Sequence, residues 1–95
     1  MVAKSDIPTA KQRIEDALAR FTVGQASAKV YVFYTDWGHL RALIGSGGFS
    51  DMPLGERQEV VWDYLHEHVQ PEHLIHLVAV HPMDLDEYNR SVMEA

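Results

Sequence analysis

The chain has 95 residues, six His, six Gly, four Pro and no Cys, and its fourteen acidic and eight basic side chains give a net charge of −6. That length allows one compact domain with a modest core, and a 46% apolar content excludes a disordered chain. The lack of Cys excludes a disulfide scaffold, a thiolate nucleophile, and any zinc or iron–sulfur site built from the chain's own sulfur.

No apolar run approaches the ~18 residues of a membrane span, and the first residues lack the apolar stretch of a signal peptide. The expectation is a soluble, cytoplasmic domain. Its charge is unevenly spread. Residues 1–48 carry six basic and four acidic side chains, a balance of +2, whereas residues 49–95 carry two and ten, a balance of −8. A protein that binds nucleic acid needs a cationic face, and the second half is unsuited to supply one.

In chain order, residues 1–8 are expected to form a flexible arm before a single domain at 9–95. Thr9 and Gln12 have the spacing of a capping box. Ile14, Ala17, Leu18 and Phe21 then recur at helical spacing, predicting an amphipathic helix from Thr9 to about Phe21. Gly24 and the polar stretch after it end that helix. Lys29–Tyr34 is dense in β-branched and aromatic residues and reads as a strand. Thr35–Gly38 reads as a turn, and His39–Ser46 as the returning strand of a hairpin.

Gly47-Gly48 breaks that strand, and Pro53 stands where a helix can start. Leu54, Val61, Leu65 and Val69 mark one face of the longest helix, which Gln70-Pro71 ends. Leu74–Val80 is almost continuously apolar and reads as a buried strand closed by Pro82. Asp84 with Glu87 caps a last helix running to Val92 or Met93. The order α-β-β-α-β-α combines an antiparallel hairpin with a third strand that arrives through a helical crossover. This predicts a two-layer α+β sandwich, a mixed three-stranded sheet with helices on one face.

Leu40-Arg41, Leu43, Ser46, Phe49, Pro53-Leu54, Arg57, Val60-Val61 and Leu65, followed without a gap by Ile75-His76-Leu77, resemble in type and spacing the central motif of the BolA-like proteins. Tyr88 stands where that family usually has Trp, and the likeness covers about Lys29–Tyr88. The resemblance implies a fold related to the type II KH domain. It also implies a monothiol glutaredoxin as partner, with a [2Fe–2S] cluster shared between the two proteins. On the BolA side the metal ligands would be His76 and, from the hairpin, His39. Some members of the family are described as DNA-binding regulators acting through the helix-turn-helix-like segment, here 49–65.

The sequence departs from the family pattern at Phe49-Ser50-Asp51-Met52, Arg57-Gln58-Glu59 and Asp84-Leu85. The first two departures remove cations and weaken the DNA reading. So does an acidic stripe of Glu56, Glu59, Asp63 and Glu67 on the long helix, which a solvated face explains fully.

His76 reads equally as a structural histidine at a strand edge and as a ligand; a neutral imidazole can bind iron. His39 reads as an exposed turn residue unless its ring converges with His76. His66 and His68, two residues apart, point to different sides of a helix and lack the spacing of a helical zinc pair. Trp37 at the hairpin tip, Arg57 and Phe49 are the candidate partner contacts. Gly45-Ser46-Gly47-Gly48 lacks the Lys and Ser/Thr of a phosphate-binding loop. No nucleophile or acid–base pair emerges, so an interaction module is expected rather than an enzyme, a monomer or weak homodimer when alone. The other functional readings are a nucleic-acid-binding regulator and a metal-free scaffold.

Overall fold

The computed structural model describes residues 6–35 and 38–94, and the expected arm falls largely outside them. Helix α1 (Asp6–Ala19) starts three residues before Thr9, with Pro8 in its first turn, where the missing N–H costs nothing. The Thr9–Gln12 box is bypassed, and the Gln12 amide instead donates to Asp16 at 2.8 Å. Ala10, Ile14, Ala17 and Leu18 line the buried face.

Where the sequence indicated only a break, a two-stranded ribbon follows. Strand β1 (Thr22–Val23) pairs antiparallel with β2 (Ala26–Ser27). Gly24 (φ 57°) and Gln25 (φ 64°) both take left-handed backbone, the requirement of a two-residue hairpin turn of type I′. The ribbon packs closely on the chain beyond the main hairpin. A Cβ placed on Gly48 would lie 2.1 Å from the Val23 carbonyl oxygen, so only glycine fits there.

The main sheet has the order β3-β4-β5. Strand β3 (Lys29–Tyr34) pairs antiparallel with β4 (Leu40–Gly45), and β4 pairs parallel with β5 (Leu77–Met83). This is the mixed α+β architecture that the sequence order requires. A 3₁₀ turn (Gly47–Phe49), helix α2 (Leu54–His68) and a four-residue helix α3 (Pro71–Leu74) make the crossover. Leu74 and Ile75 therefore belong to the crossover, and β5 starts three residues later than the apolar run indicates. Pro82 lies within β5 instead of closing it, as an edge strand permits.

Leu40, Ala42, Ile44, Val32 and Val80 form one core with Ile14 and Leu18 of α1 and with Val61 and Leu65 of α2. Each fully buried large side chain contributes about 1.5–3 kcal/mol. Leu54, expected on this face, is instead 63% exposed at the first position of α2.

The helices do not all share that face. Helix α4 (Leu85–Glu94) lies against the opposite one, because a Cβ on Gly45 would meet Tyr88 Cβ and Cγ at 2.4 Å. Gly45 and Ile44 are strand neighbours and must point to opposite faces. A glycine in the central strand thus makes room for a third, partial layer. The Asp84–Glu87 cap forms as expected: Glu87 N–H donates to Asp84 Oδ1 at 2.9 Å, and Asp84 N–H to Glu87 Oε1 at 3.2 Å. No described helix is long and apolar enough to cross a membrane.

Candidate functional site

Two of the expected site residues are brought together by backbone pairing alone. The Leu40 N–H donates to the His76 carbonyl at 2.8 Å, next to the Leu40–Leu77 pair that begins the parallel ladder. His39 and His76 each precede one member of that pair, so they stand side by side at the same end of neighbouring strands. His76 lies in the turn after α3, not within the strand, and its N–H donates to the His73 carbonyl at 3.3 Å. The His39 carbonyl accepts from the Thr35 N–H at 2.8 Å and closes the hairpin.

The two rings differ in setting. His39 is exposed, whereas His76 is half-buried with its Nε2 enclosed and without a hydrogen-bond partner among the described residues. Leaving a buried polar nitrogen unpaired costs about 1–3 kcal/mol, and such a group in a folded protein calls for an explanation. A bound electrophile reached by rotation of the ring would supply one. Ile75, 62% exposed, and Val78, 48% exposed, flank His76 and give the pair an apolar border. Among the described residues no three His, Asp, Glu or Cys gather around one point.

Arg57 and Phe49, expected at a partner surface, are engaged within the fold. Phe49 is 0% exposed and stacks with Phe21, ring centroids 6.2 Å apart. Its apolar ring is worth more in the core than at a surface. The Arg57 side chain is only 14% exposed. It donates from Nε to the Met52 carbonyl at 2.7 Å and from Nη1 to the Pro82 carbonyl at 3.4 Å, and stands 3.6 Å from Glu87. Gln58 donates to the Val80 carbonyl at 2.9 Å. Arg57 and Gln58 thus cap carbonyls on β5, an edge strand that otherwise offers them for pairing with another chain. Trp37 lies outside the described residues.

The acidic stripe of Glu56, Glu59, Asp63 and Glu67 is exposed along α2, as a solvated face requires. His66 and His68 lie near different aromatic rings, Trp62 at 6.0 Å and Tyr64 at 4.2 Å between centroids. An open cavity of about 590 Å³ between α1 and α3 is lined by Arg13, Arg20, Asp16, Glu72, His68 and His73. Its two guanidinium groups are balanced by two carboxylates, and it gathers no net charge while the imidazoles are neutral.

The setting of His81 depends on sheet register, which residue spacing does not reveal. This residue sits on β5 opposite Leu43 of β4, on the face that α4 covers only in part. Burial, and then the nearby Arg41 guanidinium, hold its imidazole below the ordinary value of 6.5. Burial, and then Tyr31, raise the Tyr88 phenol above its usual range. The chain has no significant match among protein-family models, curated proteins or solved structures.

Proposed function

We propose that this chain is a BolA-like interaction module that pairs with a monothiol glutaredoxin in [2Fe–2S] cluster handling or redox sensing. It acts by association and carries out no catalysis itself. His76 is its principal ligand and His39 the second, and all thiolates come from the partner, since this chain has no Cys.

One observation supports this reading above the others. At the first rung of the parallel ladder the backbones of His39 and His76 are neighbours, and the His76 ring holds a buried nitrogen without a partner among the described residues. Neutral imidazoles are competent iron ligands, and a cluster held partly by His has a higher reduction potential than one held by Cys alone. These features support a place for both histidines on one side of a shared cluster. The backbone of both histidines is fixed by hydrogen bonds, which reduces the ordering needed on binding. The exposed Ile75 and Val78 offer apolar surface to the partner. The carboxylates along α2 oppose nucleic-acid binding through segment 49–65, since they would repel phosphates.

Co-expression with a monothiol glutaredoxin tests the proposal. A coloured heterodimer is expected, with the colour bleached or lost in His76→Ala and weakened in His39→Ala. Circular dichroism of the isolated variants controls for folding. A complex whose visible spectrum is unchanged in folded His76→Ala overturns the ligand assignment. A folded chain that forms no complex at all favours the metal-free scaffold.

A further inference from the structure

The face of the sheet turned away from α1 and α2 is only partly covered. Tyr88 of α4 rests on Gly45, and Ser91 donates to Met83 Sδ at 3.4 Å, so α4 occupies the end of the sheet near Gly45 and Met83. Alternation and register assign the rest of that face. It carries Tyr31 and Phe33 from β3, Arg41 and Leu43 from β4, and Ala79 and His81 from β5, with Lys29 beside Gly45 at the end that α4 covers.

These residues form an unusual group for an acidic chain. The Tyr31 and Phe33 rings stack at 5.3 Å with 20° between their planes, and Tyr31 is 40% exposed. Arg41 of β4 pairs with Phe33 and is exposed, as is Lys29 at the start of β3. Neither cation enters an ion pair among the described residues. No acidic residue occupies this face of the three strands. The four side chains that define the surface all come from the half of the sequence whose balance is positive.

We infer that this face is a stacking platform for single-stranded nucleic acid, with Tyr31 and Phe33 receiving bases and Lys29 and Arg41 meeting the flanking phosphates. Bases stack on aromatic faces without regard to sequence, and cations beside the rings follow the backbone. The carboxylates of the α2 stripe lie on the other side of the sheet from this face. Helix α4, on the same side, carries Asp86, Glu87 and Glu94, so binding is expected to be weak and to fall steeply with salt. A second copy of the chain suits the face less well. A twofold interface joins the same patch on both copies, and would set two unpaired cations of one sign against their equivalents. Its test needs no cluster, so failure here and failure of the histidine reading are distinguishable.

Fluorescence anisotropy with a labelled oligouridine and the matching oligothymidine, at low salt and with protein up to ~100 μM, tests the inference, since weak backbone-led binding falls in the range of about 10⁻⁴–10⁻⁶ M. Both single strands are expected to bind more tightly than a duplex of the same length, and a preference between them reports the sugar. Tyr31→Ala or Phe33→Ala should weaken binding by about fivefold to about a hundredfold, while Tyr31→Phe retains it. Arg41→Gln should lower the slope of log affinity against log salt by about 0.7, the share of one phosphate contact on a single strand. Tyr31 and Arg41 are exposed, so these variants are expected to fold, and circular dichroism verifies it. No single-strand binding, equal affinity for duplex, or affinity unchanged in folded Tyr31→Ala and Phe33→Ala would each overturn the inference. So would concentration-dependent dimerisation abolished by Tyr31→Ala, which would assign the face to a second copy.

Discussion

Gly45→Ala tests how the sheet and the last helix meet. Gly45 lies in extended backbone that alanine also adopts, and alanine is the better strand residue, so the backbone alone favours the substitution slightly. The new methyl group, however, would stand 2.4 Å from Tyr88 Cβ and Cγ and 2.9 Å from Cδ2. Cβ belongs to the root of the side chain and cannot swing clear, so α4 itself must move. Overpacking of this kind costs about 1–3 kcal/mol. For a domain of this size that corresponds to a fall in Tm of about 4–8 °C per kcal/mol. Thermal or urea unfolding of the wild type, Gly45→Ala, Tyr88→Ala and the double variant isolates the clash. Tyr88→Ala alone should destabilise the chain, because Tyr88 is buried on the back of the sheet. In that background Gly45→Ala should be neutral or slightly stabilising. A Gly45→Ala variant as stable as the wild type, or one equally destabilised in both backgrounds, refutes the packing of α4 on the central strand.

The remaining predictions concern the clasp around Arg57 and the response to pH. Arg57→Met keeps the length of the side chain but removes donors to the Met52 and Pro82 carbonyls, and should cost about 1–3 kcal/mol in urea unfolding; Arg57→Lys should recover only part of this, because an ammonium lacks the planar fork. The folded-state pKa of His81 is depressed, so between that value and the unfolded value the unfolded chain binds more protons. Stability is then full above about pH 6.5 and declines as pH falls towards the folded value, and His81→Gln should flatten this part of the profile. The Asp84 carboxyl is held below its ordinary value first by the Glu87 N–H, with lesser help from Asp86 N–H and Arg57. Its contribution is present above the unfolded value of 3.8 and disappears as pH falls through the folded one. Asp84→Asn keeps a capping oxygen and should remove that acid step while leaving α4 helical by circular dichroism.

Local chemistry made most of the fold legible. Lys29–Tyr34 is a strand at both ends as expected, because a run of β-branched and aromatic residues between polar turns admits little else. The Asp84–Glu87 cap was readable because its spacing is its mechanism. The start of β5 was misplaced because an apolar run does not distinguish a buried helical turn from a strand. Leu74 is buried, but from α3. The ribbon at Thr22–Ser27 was missed because its turn rests on positive φ at Gln25, a residue without strong preference for that region.

The histidine pair was partly legible. Residue type and resemblance named His39 and His76, but their adjacency depends on a parallel register that no local pattern encodes. Phe49 and Arg57 were drawn towards a surface role by residue type. Their engagement in the core and with the β5 carbonyls depends on contacts 25 or more residues away in sequence, such as Arg57 to Pro82. The aromatic and cationic face was missed because each of its residues is unremarkable until strand alternation and register set them together.

In the proposed complex an imidazole of this chain binds the shared cluster. Nitrogen hyperfine spectroscopy of the reduced heterodimer tests it most directly, with this chain alone labelled with ¹⁵N-histidine. A ¹⁵N coupling of ligand strength is expected, lost in His76→Ala and kept in His66→Ala. A cluster without histidine nitrogen coupling from this chain would contradict it.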